Sequence, residues 1–231
     1  MIRKDIDPLA LATKYQQGEP FPHIVIDGFL DEEIATKLAD ELEVQNVDDW
    51  HFDPHSEQVN KWSMPELHRL PVTTSETLRE FNDVSTLNFF EKLTGIGPLI
   101  PDDQYVGGGV HVTAPGGRLG IHADFNLHPT TGHHRRLNAL LFLNRRWNPD
   151  WKGQLQLWDS GITRCVKSVD PLFNRLVIFT VTDNSFHGVP EKIDCPPGTR
   201  RLSLALYYYT EERPENEKAP FHWATWKQPV K

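Results

Sequence analysis

Cysteine is scarce in this sequence. Cys165 and Cys195 are the only two in 231 residues, and no Cys-x-x-Cys pair exists. A cysteine-based zinc site is thereby excluded, and a disulfide framework is not expected. Long apolar runs are missing too: none approaches the roughly 20 residues that a membrane helix needs. The opening residues Met1-Ile2-Arg3-Lys4-Asp5 lead into no apolar stretch of the kind a secretory leader carries. We therefore expect a soluble, cytoplasmic protein with no membrane contact. Positive charge is the third shortage, with 24 Lys and Arg against 32 Asp and Glu, a formal net charge of −8. A surface of that sign repels phosphate backbones, so no nucleic-acid partner is expected. The one basic cluster, His133-His134-Arg135-Arg136, reads as a solvated loop ahead of a strand.

What the sequence does have is punctuation. Eighteen prolines and 15 glycines are spread along the chain, with seven tryptophans, which favours short strands and turns over a helical bundle. The length suits a single domain over 1–231. Residues 1–20 read as polar and ordered only by packing on the rest. Phe21 to Leu30 reads as a short strand and turn. Asp31 is placed to cap a helix over 31–44, with Ile34, Leu38 and Leu42 at helical spacing. Residues 45–72 look irregular. A second helix is expected from Ser75 to about Leu93, ended by Gly95 and Gly97, so that 21–97 forms a helical layer. From about 104 to 210 the texture changes to short Val-, Leu-, Phe- and Tyr-rich segments. Candidate strands fall at about 104–113, 118–122, 137–143, 154–158, 162–168, 175–181, 185–188 and 200–209. This pattern predicts a mainly β protein with flanking helices and a jelly-roll, cupin-like core. The tail 211–231 is polar and is expected to pack by Phe221, Trp223 and Trp226.

Eleven histidines make chance motifs common. His-x-Asp/Glu occurs three times, as His51-Phe-Asp53, His55-Ser-Glu57 and His122-Ala-Asp124. Side chains two apart on an extended segment point the same way, so one imidazole and one carboxylate can share an ion. A third ligand from elsewhere completes the two-histidine, one-carboxylate set that suits Fe(II) and leaves positions open. His122-Ala-Asp124 follows the Gly-rich turn Ala114 to Gly120 and ends an expected strand. His187, between Leu176-Val177-Ile178-Phe179 and Gly188-Val189-Pro190, is the candidate third ligand. The two rival pairs lie in the strand-poor segment, where His111 could serve them on spacing alone.

Arg201 lies 14 positions after His187 on an expected strand. A dicarboxylate held to iron by its keto end must seat its far carboxylate, and an arginine fork pairs with a carboxylate through two hydrogen bonds. Arg201 and Ser203 share one strand face, whereas the neighbouring alternative, Arg200, points to the other. His111, Asn138, Trp158 and the loop 125–136 are weaker candidates near the substrate.

These residues resemble the 2-oxoglutarate/Fe(II)-dependent oxygenase superfamily, in its prolyl 4-hydroxylase-like branch. The resemblance rests on His122-x-Asp124, His187-Gly-Val-Pro-Glu and Gly198-x-Arg-Arg201-x-Ser203. The approach Gly116-Gly117-Arg118-Leu119-Gly120 is similar to that branch, as are the strands Leu137 to Asn144 and Trp151 to Trp158. It covers about 21–210 and implies a double-stranded β-helix. His122, Asp124 and His187 would then be the metal ligands and catalytic centre, with Arg201 and Ser203 on 2-oxoglutarate. Tyr105 sits where the branch often has a co-substrate tyrosine. The implied activity is hydroxylation of an unactivated C–H bond with O₂, releasing succinate and CO₂, with ascorbate as a candidate reductant. The substrate stays open among a prolyl peptide or protein, an amino acid and a small molecule. Two departures bear on it: arginine stands where collagen-type enzymes often use lysine, and Lys152-Gly153 replaces a common double glycine. Two other readings remain, a cupin-like metalloenzyme that does not use 2-oxoglutarate and a degenerate binding module without catalysis.

Overall fold

A computed structural model describes residues 1–52 and 55–230. The elements run in the order α1 (Pro8–Gln16), β1 (His23–Asp27), α2 (Glu32–Glu43), β2 (His51–Phe52), β3 (Gln58–Met64), α3 (Val72–Phe81), α4 (Val84–Thr94) and β4 (Ile100–Pro101). The long strand β5 (Gly109–Ala123) opens the main β segment, followed by β6 (His134–Phe142), β7 (Leu155–Trp158), β8 (Cys165–Val169), β9 (Arg175–Thr180), β10 (His187–Val189), β11 (Arg201–Thr210) and β12 (Thr225–Lys227). The strands make one curled antiparallel sheet in the order β1-β9-β6-β11-β5-β10-β7-β8, with the remaining strands attached to β3, β5 and β11. This is the jelly-roll architecture that the strand pattern implied.

β5 makes the curl. Its first half, Gly109 to Thr113, pairs with β11, and its second half pairs with β10 through Leu119 and His122. Two strands expected at 104–113 and 118–122 are thus one 15-residue strand, running through Ala114-Pro115-Gly116-Gly117 with Gly116 at φ 77°. Glycine accepts that conformation at no steric cost. The close approach of β10 to β5 depends on a second glycine: a Cβ on Gly188 would lie 2.6 Å from the Gly120 carbonyl oxygen.

The helices brace the outside. Leu38, Leu42, Leu78, Phe81, Phe90 and Leu93 share one buried cluster with Leu137, Leu141, Ile178 and Leu204 of the sheet. Burial of these faces, at roughly 25 cal/mol per Å² of apolar area, is what fixes the helices to the barrel. Several local expectations are corrected. Residues 1–20 include α1, started by Pro8 and by the Asp7 carboxylate, which accepts from the Leu9 amide. Asp31 precedes α2 but makes no side-chain cap. The helix expected over 75–93 is two helices, broken at Asn82-Asp83. Asn82 donates its amide to the Asp102 carbonyl and to the Tyr105 hydroxyl, and tertiary partners of this kind override local propensity. The segment 45–72 holds β2 and β3, and β3 pairs with β5. The tail supplies β12, which also pairs with β5. Neither β3 nor β12 shows the alternation that a half-buried strand would carry.

Candidate metal centre

His122 and Asp124 leave the end of β5 on one face, and His187 opens β10 directly opposite His122 in the ladder. A nitrogen of each histidine and an oxygen of Asp124 all lie within 4.8 Å of one another. His122 Nε2 is 3.6 Å from Asp124 Oδ1, and His187 Nε2 is 3.5 Å from Asp124 Oδ2. Each imidazole is aimed by the backbone two residues earlier: His122 Nδ1 lies 2.9 Å from the Gly120 carbonyl, and His187 Nδ1 lies 3.0 Å from the Ser185 carbonyl. A carbonyl can only accept, so each Nδ1 carries the proton and each Nε2 presents a lone pair to the centre. Aromatic rings hold the planes, with Trp226 4.8 Å from His122 and Phe179 4.8 Å from His187. Two imidazoles and a carboxylate, all turned inward, fit Fe(II) with positions left open.

The electrostatics favour the ligand forms. Burial pushes the His187 imidazole down to about 4, so it is neutral at physiological pH. Burial alone would raise the Asp124 carboxyl, but the Arg135 guanidinium and both imidazoles outweigh it and hold it well below the usual carboxylate range.

Arg135 is the largest surprise. Its basic cluster predicts a solvated loop, yet Arg135 is 1% exposed, and Arg136 is 7% exposed. Arg135 Nη2 lies 3.2 Å from Asp124 Oδ2, and its Nε and Nη2 donate to Asn138 Oδ1 at 3.0 and 2.8 Å. Asn138 Nδ2 in turn donates to Asp124 Oδ2 at 2.7 Å. The guanidinium lies over the rings of Tyr207 and Phe125, 3.5 and 4.4 Å from their centroids. The β6–β11 register shifts between Tyr208 and Tyr209, whose partners are Leu137 and Arg135. That irregularity lets Arg135 and Asn138, three apart, face the same way against strict alternation. Two donors on Oδ2 orient the carboxylate and leave Oδ1 for an ion. An Asn138→Ala variant is expected to weaken Mn(II) affinity roughly 10–100-fold, the usual effect of deleting a partner of a metal ligand. Calorimetric titration checks this, and affinity equal to the parent would count against it.

The same cavity, about 280 Å³, extends to Arg201 and Ser203. Arg201 is 8% exposed. It donates Nε to the Gly153 carbonyl at 2.8 Å and stands 4.7 Å from the Phe142 ring centroid. Among the described residues it makes no ion pair, and burial lowers it to about 10. A buried cation in that condition suits an incoming carboxylate. Arg200 faces elsewhere, donating to the Gln45 and Glu43 carbonyls.

Other candidates scatter. His111 lines the cavity, with Nε2 3.0 Å from the Gly107 carbonyl, and burial holds it well below its ordinary value. Tyr105 is not brought to the cavity: its hydroxyl donates to the Leu78 carbonyl at 3.0 Å within the helix-side core. Tyr207 lines the cavity instead, donating its hydroxyl to the Gly107 carbonyl at 2.9 Å. Trp158 packs outside the cavity, against Ile121, Ala123, Ile162 and Phe186. Of the rival pairs, Glu57 is engaged by Arg118 at 3.1 Å, and His55 stacks on Trp226. His51 meets Glu66 at 2.6 Å, and Asp53 lies outside the described residues. Among the described residues, His122, Asp124 and His187 form the one three-residue group able to hold a metal. A larger surface depression of about 580 Å³ beside Arg145, Arg146 and Arg200 contains none of them.

Comparison with known proteins bears on this geometry. The family model described as 2OG-Fe(II) oxygenase superfamily matches residues 108–209, which include all three candidate ligands, Arg201 and Ser203. A prolyl 3-hydroxylase of Mus musculus is 37% identical over 79 residues, covering 32% of this chain. The match spans only 14% of that curated relative. Among solved structures, a prolyl-4-hydroxylase of Pseudomonas putida aligns with a TM-score of 0.61 at 18% identity, covering 87% of this chain and 98% of that one. A prolyl hydroxylase of Trichoplax adhaerens, solved with a hypoxia inducible factor peptide fragment, aligns at 0.61 and 18% identity over 87% of this chain and 88% of its own. At that identity the structural likenesses speak to the fold. No helix among the described residues is long and apolar enough to cross a membrane.

Proposed function

We propose that this chain, whose residues 108–209 match the model of the 2OG-Fe(II) oxygenase superfamily, is an Fe(II)- and 2-oxoglutarate-dependent hydroxylase. The observation that carries the reading is the pairing, in one cavity, of the His122–Asp124–His187 group with a buried arginine that has no anionic partner among the described residues. When bound, iron supplies the O₂ activation and the oxidative decarboxylation of 2-oxoglutarate that drive hydroxylation. The protein's own part is positional. His122, Asp124 and His187 hold the ion, and Arg201, with Ser203 beside it, receives the far carboxylate. Arg135 and Asn138 keep the Asp124 carboxylate ionised and oriented.

A prolyl residue in a peptide or protein is the proposed substrate, supported by the prolyl hydroxylases among the relatives. We read the chain as one domain, because the helices and the sheet share a core. A cytoplasmic setting without nucleic-acid binding accords with two free cysteines and a net charge of −8. A cupin-like enzyme that does not use 2-oxoglutarate would have no need of the Arg201 cation, and a degenerate module would have no need of three intact ligands.

The test is an anaerobic titration of the metal-free protein with Fe(II) and then 2-oxoglutarate, followed by air. The expected results are a weak visible charge-transfer band and then succinate above the metal-free control. Iron binding without the band, and without succinate when proline-containing peptides are supplied, would sink the proposal.

A further inference from the structure

The tail beyond residue 209 lies outside the matched family segment, yet it builds part of the cavity. β12 pairs with β5 so that Trp226 faces His122 across the ladder, and Ala224 and Trp226 line the cavity. The Trp226 ring lies between two imidazoles, 4.8 Å from that of the buried His122 and 5.0 Å from that of the exposed His55. Side-chain and backbone hydrogen bonds fasten the segment along its length. Asn126 donates to the Pro220 carbonyl at 2.9 Å, His222 meets Asp183 at 3.2 Å, and the Val230 amide donates to the Ile162 carbonyl at 3.0 Å.

We propose that Trp226 is a specificity-determining wall of the metal cavity, limiting the group that reaches the metal to about the size of one small ring. The proposal rests on the metal-centre reading above. A cavity of about 280 Å³ sits below the roughly 300–1,000 Å³ usual for ligand sites, and it must also hold the co-substrate. The substrate therefore enters by a slender part. The indole is the bulkiest side chain on the tail's side of the cavity, and it is backed by His55, so it cannot swing outward without breaking a ring stack. A substrate with a broad aromatic or branched group at the reacting carbon is excluded, whereas a narrow ring or side chain passes.

The experiment uses the Co(II)-loaded full chain and two probes that coordinate a metal's open positions, imidazole and 4-phenylimidazole. Binding is read from the visible absorption of the cobalt. Steric discrimination in a pocket is worth roughly 10–200-fold, and the parent is expected to prefer imidazole by a factor in that range. Trp226→Ala should lower the preference, taken as the ratio of the two affinities within each variant, at least about 10-fold, with a smaller drop for His55→Ala, which removes only the backing ring. An unchanged preference in both variants overturns the proposal alone. Failure of Co(II) to bind the parent overturns the metal-centre reading and the proposal with it.

Discussion

A His122→Ala variant is expected to lose Mn(II) and Fe(II) binding in the micromolar range and with it all succinate formation. The loss should exceed the roughly 10–100-fold cost of deleting a mere partner of a ligand. His122 faces His187 in the β5–β10 ladder, and its Nε2 is 3.6 Å from the Asp124 carboxylate. Removing it leaves one imidazole and one carboxylate for an ion that needs three protein donors to hold it while positions stay open. The side chain also packs against the Trp226 ring at a tilt, so a fall in melting temperature could mimic loss of the site. His122→Gln separates the two effects, because it keeps a polar side chain of similar reach. Calorimetry with Mn(II), a redox-silent surrogate, gives the comparison. Affinity retained in a folded variant would remove His122 from the ligand set.

The second large effect is expected at Arg201. Arg201→Ala should leave Mn(II) affinity almost unchanged but weaken 2-oxoglutarate by about 2–5 kcal/mol, roughly 30-fold or more, the range seen when one partner of a buried charge pair is removed. The reasoning is electrostatic. Burial has lowered the guanidinium to about 10, still charged at neutral pH but without an anionic partner among the described residues. A carboxylate in the cavity offsets that desolvation, and with alanine its charge would lie buried and unpaired. Arg201→Lys should recover part of the affinity, since charge survives but the fork does not. Titration of the Mn(II)-loaded protein with 2-oxoglutarate measures both. Equal affinity in parent and alanine variant would remove Arg201 from co-substrate binding. Arg200→Ala is the internal control, because that side chain holds the Gln45 and Glu43 carbonyls away from the cavity.

Much of this was legible from residue spacing, because some geometry is local. Two residues apart on a strand share a face, so His122 and Asp124 could be paired on paper, as could Arg201 and Ser203. Strand-like segments separated by Gly, Pro and Asn gave the β architecture, since turn chemistry is written into single residues. Where the reading failed, the deciding contact was distant. Arg135 stands beside three other basic or imidazole side chains, and local charge says solvent. A strand irregularity between Arg135 and Leu137 turns it inward, onto a carboxylate brought from another strand. The single helix expected over 75–93 breaks where Asn82 finds partners at Asp102 and Tyr105. The family resemblance implies a cavity position for Tyr105, but its hydroxyl is drawn to the helix layer.

The sequence by itself determined the candidate donor set, the candidate cation beside it and the class of sheet that could bring them together, because these follow from residue chemistry and from a period of two. Only the tertiary structure decided how the carboxylate is held and which tyrosine and tryptophan complete the cavity. Those outcomes depend on strand register and on a tail returning to β5 from about 100 residues away, and neither leaves a periodic mark on the chain.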